Sequence, residues 1–482
     1  MPLENVANFL VITVIGSFAG LGLGWLILSL IEKGENVESA HEDEMSGKKY
    51  VTSALLSNLK VYKKETEASA GRQIKLALAN LREQQRRPAL MEYYDSIAAF
   101  DQGRILEIEA FRRAGGKVVG FFCLFAPIEL IEASGAMPLR VDSGIYSGVA
   151  PSEQLLPSEA CPVVKSELGA KMLELSPYLR LCDVLVCPSS CGMKAKLGEI
   201  LEDFATIWRL EVPSYKDGSS TKRMWLDQIN DFKRDLEKLT GRKITRETLR
   251  RSIESAQDAR AIFRRLGELR KSKTTPISGR DAMLVTQAIW YDDLERWKEK
   301  TKQLCSELEK RIEDRVNLGY SEGPRIMLAG SPIIWPNWKL PNLIEDSGAV
   351  IVCDELCSGD HGVLGDSVNV DEWTMKDMLA AIADRYLQPV TCPCFTPNDK
   401  RVDKIARMVK DFGVDGVVYH QLRGCYVHKI EFSRVTTALK NLRVPVLGIE
   451  TDYTHEDLGQ MRTRIEAFLE MIQTAKQNYR TK

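Results

Sequence analysis

Residues 115–136 read "GGKVVGFFCLFAPIELIEASGA". The glycine pair stops a helical pattern, and the short apolar run Lys117–Cys123 follows it with no polar break. "PIELIEASGA" then returns to helical spacing and stops at Gly135. A strand that is apolar on both faces, followed by a helix, is the unit of a domain built on a buried parallel sheet. "DVLVCPSS" (Asp183–Ser190) supplies another such strand. A second set lies further on: "RIMLAGSP" (325–332), "AVIVCDEL" (349–356), "PVTC" (389–392), "GVDGVVYHQ" (413–421) and "VPVLGIETD" (444–452). The expected class is α/β, with two parallel-sheet α/β domains that are candidate distant copies of each other.

Helical spacing fills the rest. It runs from about residue 50 to 114 (Leu55, Leu59, Tyr62; Ile74, Leu76, Leu78, Leu81) and again from 216 to 320, where Leu226, Ile229, Phe232 and Leu236 share one stripe. The N-terminus differs. "FLVITVIGSFAGLGLGWLILSLI" (Phe9–Ile31) carries no charge, and as a helix it would span roughly 34 Å, enough to cross a bilayer core of about 30 Å. Gly16, Gly20 and Gly24 fall on one face, where a second helix can approach closely. A secretory signal would carry a basic start, which is missing here. A core helix is not usually apolar all round. The expectation is a single membrane anchor, with Lys33, Lys48 and Lys49 placing the body on the cytoplasmic side of the cell membrane. The segments expected are an anchor (1–35), a tether and helical segment (36–115), a first α/β domain (116–215), a helical insertion (216–322) and a second α/β domain (323–482).

A net charge of −1 argues against a nucleic-acid partner. Eleven cysteines, an odd number spread through a large chain, read as reduced thiols with a possible metal site rather than as disulfide staples. Their positions matter more than their number. Cys123, Cys191, Cys357, Cys392, Cys394 and Cys425 all fall at or just past the ends of expected strands, and Cys161 precedes a helical stretch. Open α/β sheets bind ligands at that edge. The pair in "PVTCPCFTPND" (Pro389–Asp399) cannot readily close on itself, because adjacent strand residues face opposite ways. Local CxxC knuckles, the usual mark of structural zinc, are missing. On pattern alone an iron–sulfur cluster, a zinc site and unliganded thiols all stay open, with the scattered ligand set suiting a cluster best. Cys182, Cys305 and Cys353 read as small buried hydrophobes, and Cys187 as undecided.

Several longer blocks carry a resemblance. "GFFCLFAPIELIEASGAMPLRV", "CPVVKSELG", "DVLVCPSSCGMKAKL", "VVYHQLRGCYVHKIE" and "VLGIETDYTHEDLGQMRTRIEAFLEM" resemble, in order, the blocks of the 2-hydroxyacyl-CoA dehydratase and benzoyl-CoA reductase family, from about residue 95 to 474. The resemblance implies that Cys161, Cys191 and Cys425 hold a [4Fe–4S] cubane with one iron open. "CDELCSG" and "LADRYLQPVTCPCFTPNDKRVDKIARMV" are more similar to the double-cubane cluster protein branch. There the resemblance implies a second cubane, on Cys357, Cys392 and Cys394, joined to the first by a sulfide as an [8Fe–9S] group. Cys123 also matches a family cysteine, but one shared with single-cubane relatives, and is left out of the ligand set. Gly192 stands where the family often has an acidic residue, and residues 1–49 have no counterpart in the soluble pattern.

The expected function is an iron–sulfur reductase acting on a small molecule, with electrons supplied by a separate ATPase that carries its own iron–sulfur cluster. The chain has no GxxxxGK[ST] loop of its own. A homodimer is expected. Candidate catalytic groups are His420 and His428 as proton donors, Arg423 as an anion or cluster-charge partner, and Glu129 as a cleft carboxylate. One alternative is a 2-hydroxyacyl-CoA dehydratase subunit with a single [4Fe–4S] cluster; another is a membrane-anchored electron relay or cluster-assembly factor without turnover.

Overall fold

The computed structural model describes residues 48–480 apart from 101, 317, 319–322 and 360–367. The membrane helix expected over Phe9–Ile31 lies outside the described residues. Among those described, no helix is long and apolar enough to cross a membrane.

The first sheet contains β1 (Val118–Phe121), β2 (Met137–Arg140), β3 (Val184–Pro188) and β4 (Ile207–Leu210), in the order β2-β1-β3-β4. The second contains β5 (Arg325–Gly330), β6 (Val350–Asp354), β7 (Gly416–Leu422) and β8 (Val446–Thr451), in the order β6-β5-β7-β8. Every pairing is parallel. The two orders are the same once the second is counted from β5, as expected of two copies. Each sheet reverses its winding between two central strands, β1/β3 and β5/β7, and a ligand crevice forms outside such a point. Of the central strands, β1, β3 and β7 are buried along their whole length and β5 beyond Arg325, which is why they read as apolar runs.

Two expectations change. "PVTC" is not a strand, and the second sheet closes at four. Pro389 and Pro393 remove ladder donors on either side of the segment. Its carbonyls go to side chains instead: Val390 O to Lys216 Nζ, and Thr391 O and Cys392 O to Asn398 Nδ2, at 3.4 and 3.0 Å. Conversely, β2 and β4 carry little strand signal, being four-residue edge strands, one interrupted by Pro138.

Helices cover the sheets. Ser53–Arg82 opens on Thr52, whose Oγ1 accepts from Leu55 N at 3.2 Å, and buries Leu55, Leu59, Ile74, Leu78 and Leu81 while leaving Tyr62 and Leu76 exposed. The insertion is four helices, Ser219–Thr240, Arg246–Arg270, Gly279–Ala288 and Leu294–Glu313. Trp225, rather than Leu226, leads its buried stripe, because its indole N–H reaches Ala383 O at 2.9 Å on helix Met375–Leu387.

The turn leaving β5 shows how the second sheet's edge is built. Gly330 has φ +104°, and a Cβ there would sit 2.1 Å from His420 O on the neighbouring strand. Ser331 follows: its N–H donates to His420 O at 2.8 Å, and its Oγ accepts from Leu422 N at 3.1 Å. Its carbonyl accepts from His420 Nδ1 at 2.8 Å. This lock joins the ends of β5 and β7 just before Cys425. Gly330→Ala is expected to cost about 3 kcal/mol or more, read as a lowered denaturation midpoint; a loss under about 1 kcal/mol would show the turn to be adaptable. Burial lowers the His420 pKa to about 4 from its ordinary 6.5. Between those values the unfolded chain binds the extra proton, so stability falls as pH drops through this window, by about 3 kcal/mol from this ring at full protonation. Chemical denaturation at pH 7 and pH 5 should show the loss in the wild type and a smaller one in His420→Gln.

Candidate functional site

Three helices begin immediately after cysteines. Cys161 caps Pro162–Met172, Cys191 caps Gly192–Leu201 past β3, and Cys425 caps Tyr426–Asn441 past β7. None of these helices has an acidic residue in its first turn. The main chain of the first turn lies beside each sulfur and lowers it without closing a capping hydrogen bond: Val163 and Val164 at Cys161, Met193 and Lys194 at Cys191, His428 at Cys425. A helix N-terminus favours negative charge, so this is the local structure that turns a thiol into a thiolate.

The fold then brings the caps together. Gly424 (φ +77°) lies so close to the chain before Cys161 that a Cβ there would be 2.2 Å from Glu159 O. The Cys425 and Cys161 thiols adjoin there, each the largest electrostatic influence on the other. Cys191 reaches Cys394 in the same way, and Cys394 also reaches Cys392. Cys392 in turn faces Cys123, which faces Cys357. Thiols from both halves therefore form one connected group. Cys182 stands apart, donating to Tyr178 O at 3.2 Å, and no other thiol adjoins Cys187 or Cys305 among their charged neighbours.

Within the group the charges are unequal. The Cys394 thiol beside it, then the helix N–H groups and Lys194, bring Cys191 down to about 6. Cys392 is lowered by Cys394, and Cys425 by Cys161, while those two partners are pushed up. Burial pushes Cys123 to about 12 and Cys357 well above its ordinary value. Among the described residues no three His, Cys, Asp or Glu side chains close tightly enough around one point to hold a single metal ion. A cluster takes its ligands at separate irons, so its thiols stand further apart.

Around the thiols lies a buried polar layer. Asp142 accepts from Cys123 N at 3.1 Å, from Arg140 Nε at 2.6 Å and from Lys194 Nζ at 3.2 Å, and Lys194 also pairs with Glu167 at 2.5 Å. Arg140 crosses to the other half, donating to Cys357 O at 2.9 Å with its guanidinium 4.1 Å over Trp290. On the far side Arg401, fully buried, grips Glu355 with two bonds of 2.9 Å. The CPC loop is pinned to the first half by Phe395, edge-on to Phe125 at 5.9 Å, and by Thr396 N to Ser214 O at 3.1 Å. A cavity of about 410 Å³ opens beside Cys123, lined among others by Leu124, Ile128, Arg140, Trp290 and Tyr386.

The expected catalytic residues fare differently. His420 is buried and neutral, tied to Ser331 as described. His428 is buried as well; its Nδ1 has no partner among the described residues, and burial, then Arg401, keeps it uncharged. Glu129 is fully buried, bonded by Arg260 at 2.5 Å and by Tyr386 Oη at 2.7 Å. Burial raises its carboxyl, but Arg260 and Arg385 outweigh this and hold it below the usual range. Arg423 is exposed and paired with Asp452 at 2.7 Å. Two residues not singled out for the site join it. Cys123 (φ +64°) adjoins Cys357 and Cys392, a placement its strand-end position foreshadows. Tyr453 is buried facing Cys161 and Cys357, its Oη donating to Ser143 O at 3.2 Å. It lies within a recognisable block, but no local pattern marks it. A side chain at Gly192 would meet nothing within 4 Å, so the missing acidic residue leaves open space beside Cys191.

Known proteins resemble this chain over most of its length. A family model described as 2-hydroxyglutaryl-CoA dehydratase, D-component, covers residues 123–472. The putative dehydratase subunit YjiM of Escherichia coli (strain K12) is 28% identical over 389 residues, 79% of this chain and 97% of that protein. The β subunit of (R)-2-hydroxyglutaryl-CoA dehydratase from Acidaminococcus fermentans is 22% identical, over 80% and 99% of the two chains. A benzoyl-CoA reductase subunit from Thauera aromatica is 23% identical, over 72% and 87%. With paired parallel sheets, cysteine-capped helices and a match across most of its length, the chain belongs to the 2-hydroxyglutaryl-CoA dehydratase D-component family, which includes dehydratase and reductase subunits.

Proposed function

We propose that this chain is an iron–sulfur reductase with a double cubane, which takes low-potential electrons from a separate ATP-hydrolysing activator and reduces a small molecule. The observation that carries the reading is Cys394. Its thiol adjoins both Cys191 and Cys392, one from each expected ligand set, which supports two cubanes placed side by side. The donor set fits: soft sulfur throughout, with Cys191, Cys392 and Cys425 all lowered toward thiolate. In this reading Cys161, Cys191 and Cys425 hold one cubane and Cys357, Cys392 and Cys394 the other. When bound, such a group supplies stored low-potential electrons.

The chain's own residues supply the setting. Neighbouring thiols first and helix N-termini second favour the anionic form at Cys191 and Cys425, and Arg140, Lys194 and Arg401 set buried positive charge behind them. Phe125, Phe395 and Trp290 exclude water. Tyr453 keeps its proton at Oη, where it orients on Ser143 O, and His420 and His428 are neutral near pH 7 and offer no imidazolium. The cavity beside Cys123 is the route for a small substrate. The uncharged run Phe9–Ile31 and the lysines after it support a single-pass anchor in the cell membrane with a cytoplasmic body, working as a homodimer.

A second reading, a dehydratase subunit with one [4Fe–4S] cluster, is favoured by the names of several relatives. Iron and acid-labile sulfide per chain separate the two, on protein purified without oxygen in mild detergent. The double cubane gives about eight irons with sulfide slightly in excess, and Cys357→Ala loses about half of them while Cys123→Ala keeps them. About four irons, unchanged in Cys357→Ala, would favour the dehydratase reading; zinc without iron would sink both.

A further inference from the structure

A second cleft lies away from the thiols, between helix Ser53–Arg82 and helices Lys339–Asp346 and Leu458–Arg480, with a volume of about 550 Å³. None of the cysteines lines it. That volume is typical of a small-molecule site.

Its charge is unbalanced. Lys339 is committed to Asp457 at 2.7 Å and to Thr454 O at 2.5 Å, and Asp346 to Arg280 at 2.9 Å. What remains among the lining residues are Arg72 and Arg462, which come from different helices and make no hydrogen bond or ion pair among the described residues. Helix Leu458–Arg480 starts here with no acidic residue in its first turn. The carboxylate just before it, Asp457, is turned to Lys339 and to Thr451 Oγ1 at 2.6 Å. Two open guanidiniums beside a helix N-terminus suit a dianion, and the guanidinium fork matches phosphate oxygens.

The remaining lining suits a heterocycle. Asn80 makes no bond among the described residues, Asn342 Oδ1 is buried without a partner, and so is the indole N–H of Trp338. Tyr146, partly exposed, offers a ring edge-on to His455 at 6.3 Å. Uncommitted carboxamides and an indole N–H beside an aromatic face can hydrogen-bond and stack a planar ring that carries both donors and acceptors.

We propose that this cleft binds a phosphate monoester carried on a nitrogen heterocycle, a ligand of nucleotide size, with Arg72 and Arg462 on the phosphate and Asn80 and Asn342 on the ring. The proposal does not depend on the cluster reading. Calorimetric titration of the full-length chain in mild detergent, without oxygen, tests it with adenosine 5′-monophosphate, ribose 5-phosphate and inorganic phosphate as probes. The expected order is adenosine monophosphate tightest, ribose 5-phosphate about tenfold weaker and phosphate weaker still. R72A/R462A should weaken the nucleotide by at least about tenfold. Asn342→Ala should weaken the nucleotide while leaving ribose 5-phosphate unchanged. Arg72 and Arg462 are exposed, so their removal leaves the fold intact, and R72Q/R462Q should give the same loss at an unchanged melting temperature. No binding of adenosine monophosphate at millimolar concentration, equal binding by R72A/R462A, or phosphate bound as tightly as the nucleotide would each overturn it.

Discussion

Thiols that ionise side by side out of water repel one another, and the surroundings of the cysteine group answer that repulsion. Helix N-termini face Cys161, Cys191 and Cys425, where the main chain of the first turn lies beside each sulfur. Behind them, buried cations alternate with carboxylates: Arg140, Asp142, Lys194 and Glu167 on one side, Arg401 and Glu355 on the other. Desolvating such pairs consumes most of their attraction, so they are poor devices for stability alone. Their value here is positional. Asp142 holds the Cys123 backbone, and Arg140 ties the loop of Cys357 to the other half.

Duplicated topology makes this meeting possible. One open parallel sheet presents one crevice at its carboxyl edge, and two sheets of the same order present two, which bonds such as Arg140 to Cys357 O and Tyr453 to Ser143 O join. Strands β3 and β7 are equivalent in the two orders, and both lead into cysteine-capped helices. Small residues let the halves close. Gly144 and Gly424 each bring a chain against carbonyls of the opposite half where any side chain would collide. The CPC loop completes the ring from the outside, its proline-bracketed backbone held by Asn398 and Lys216 instead of by a sheet.

The cleft at Arg72 and Arg462 obeys a different logic. Near the thiols Arg140, Lys194 and Arg401 each have a carboxylate partner, whereas here the charges that could cancel one another are already spent elsewhere. Asn337 lines this cleft and donates to Tyr453 O at 3.2 Å, so one loop borders both sites.

Strands buried on both faces, β1, β3 and β5 to β7, were legible because such strands must be apolar throughout, the half-buried β8 by its apolar start, and the four-helix insertion because its stripe recurs with the helical period. Edge strands β2 and β4 were too short and too polar to register. "PVTC" misled because an apolar run resembles a strand until one asks where its hydrogen bonds go. The family and the thiols at strand ends could be read from residues alone, since backbone geometry sends those positions to one edge. Which thiols touch, that Cys123 joins them, that Glu129 is spent on Arg260 and that Tyr453 faces the cleft were decided only by the tertiary structure. Contacts between residues hundreds of positions apart depend on how two sheets dock, and that docking leaves no periodic mark in the chain.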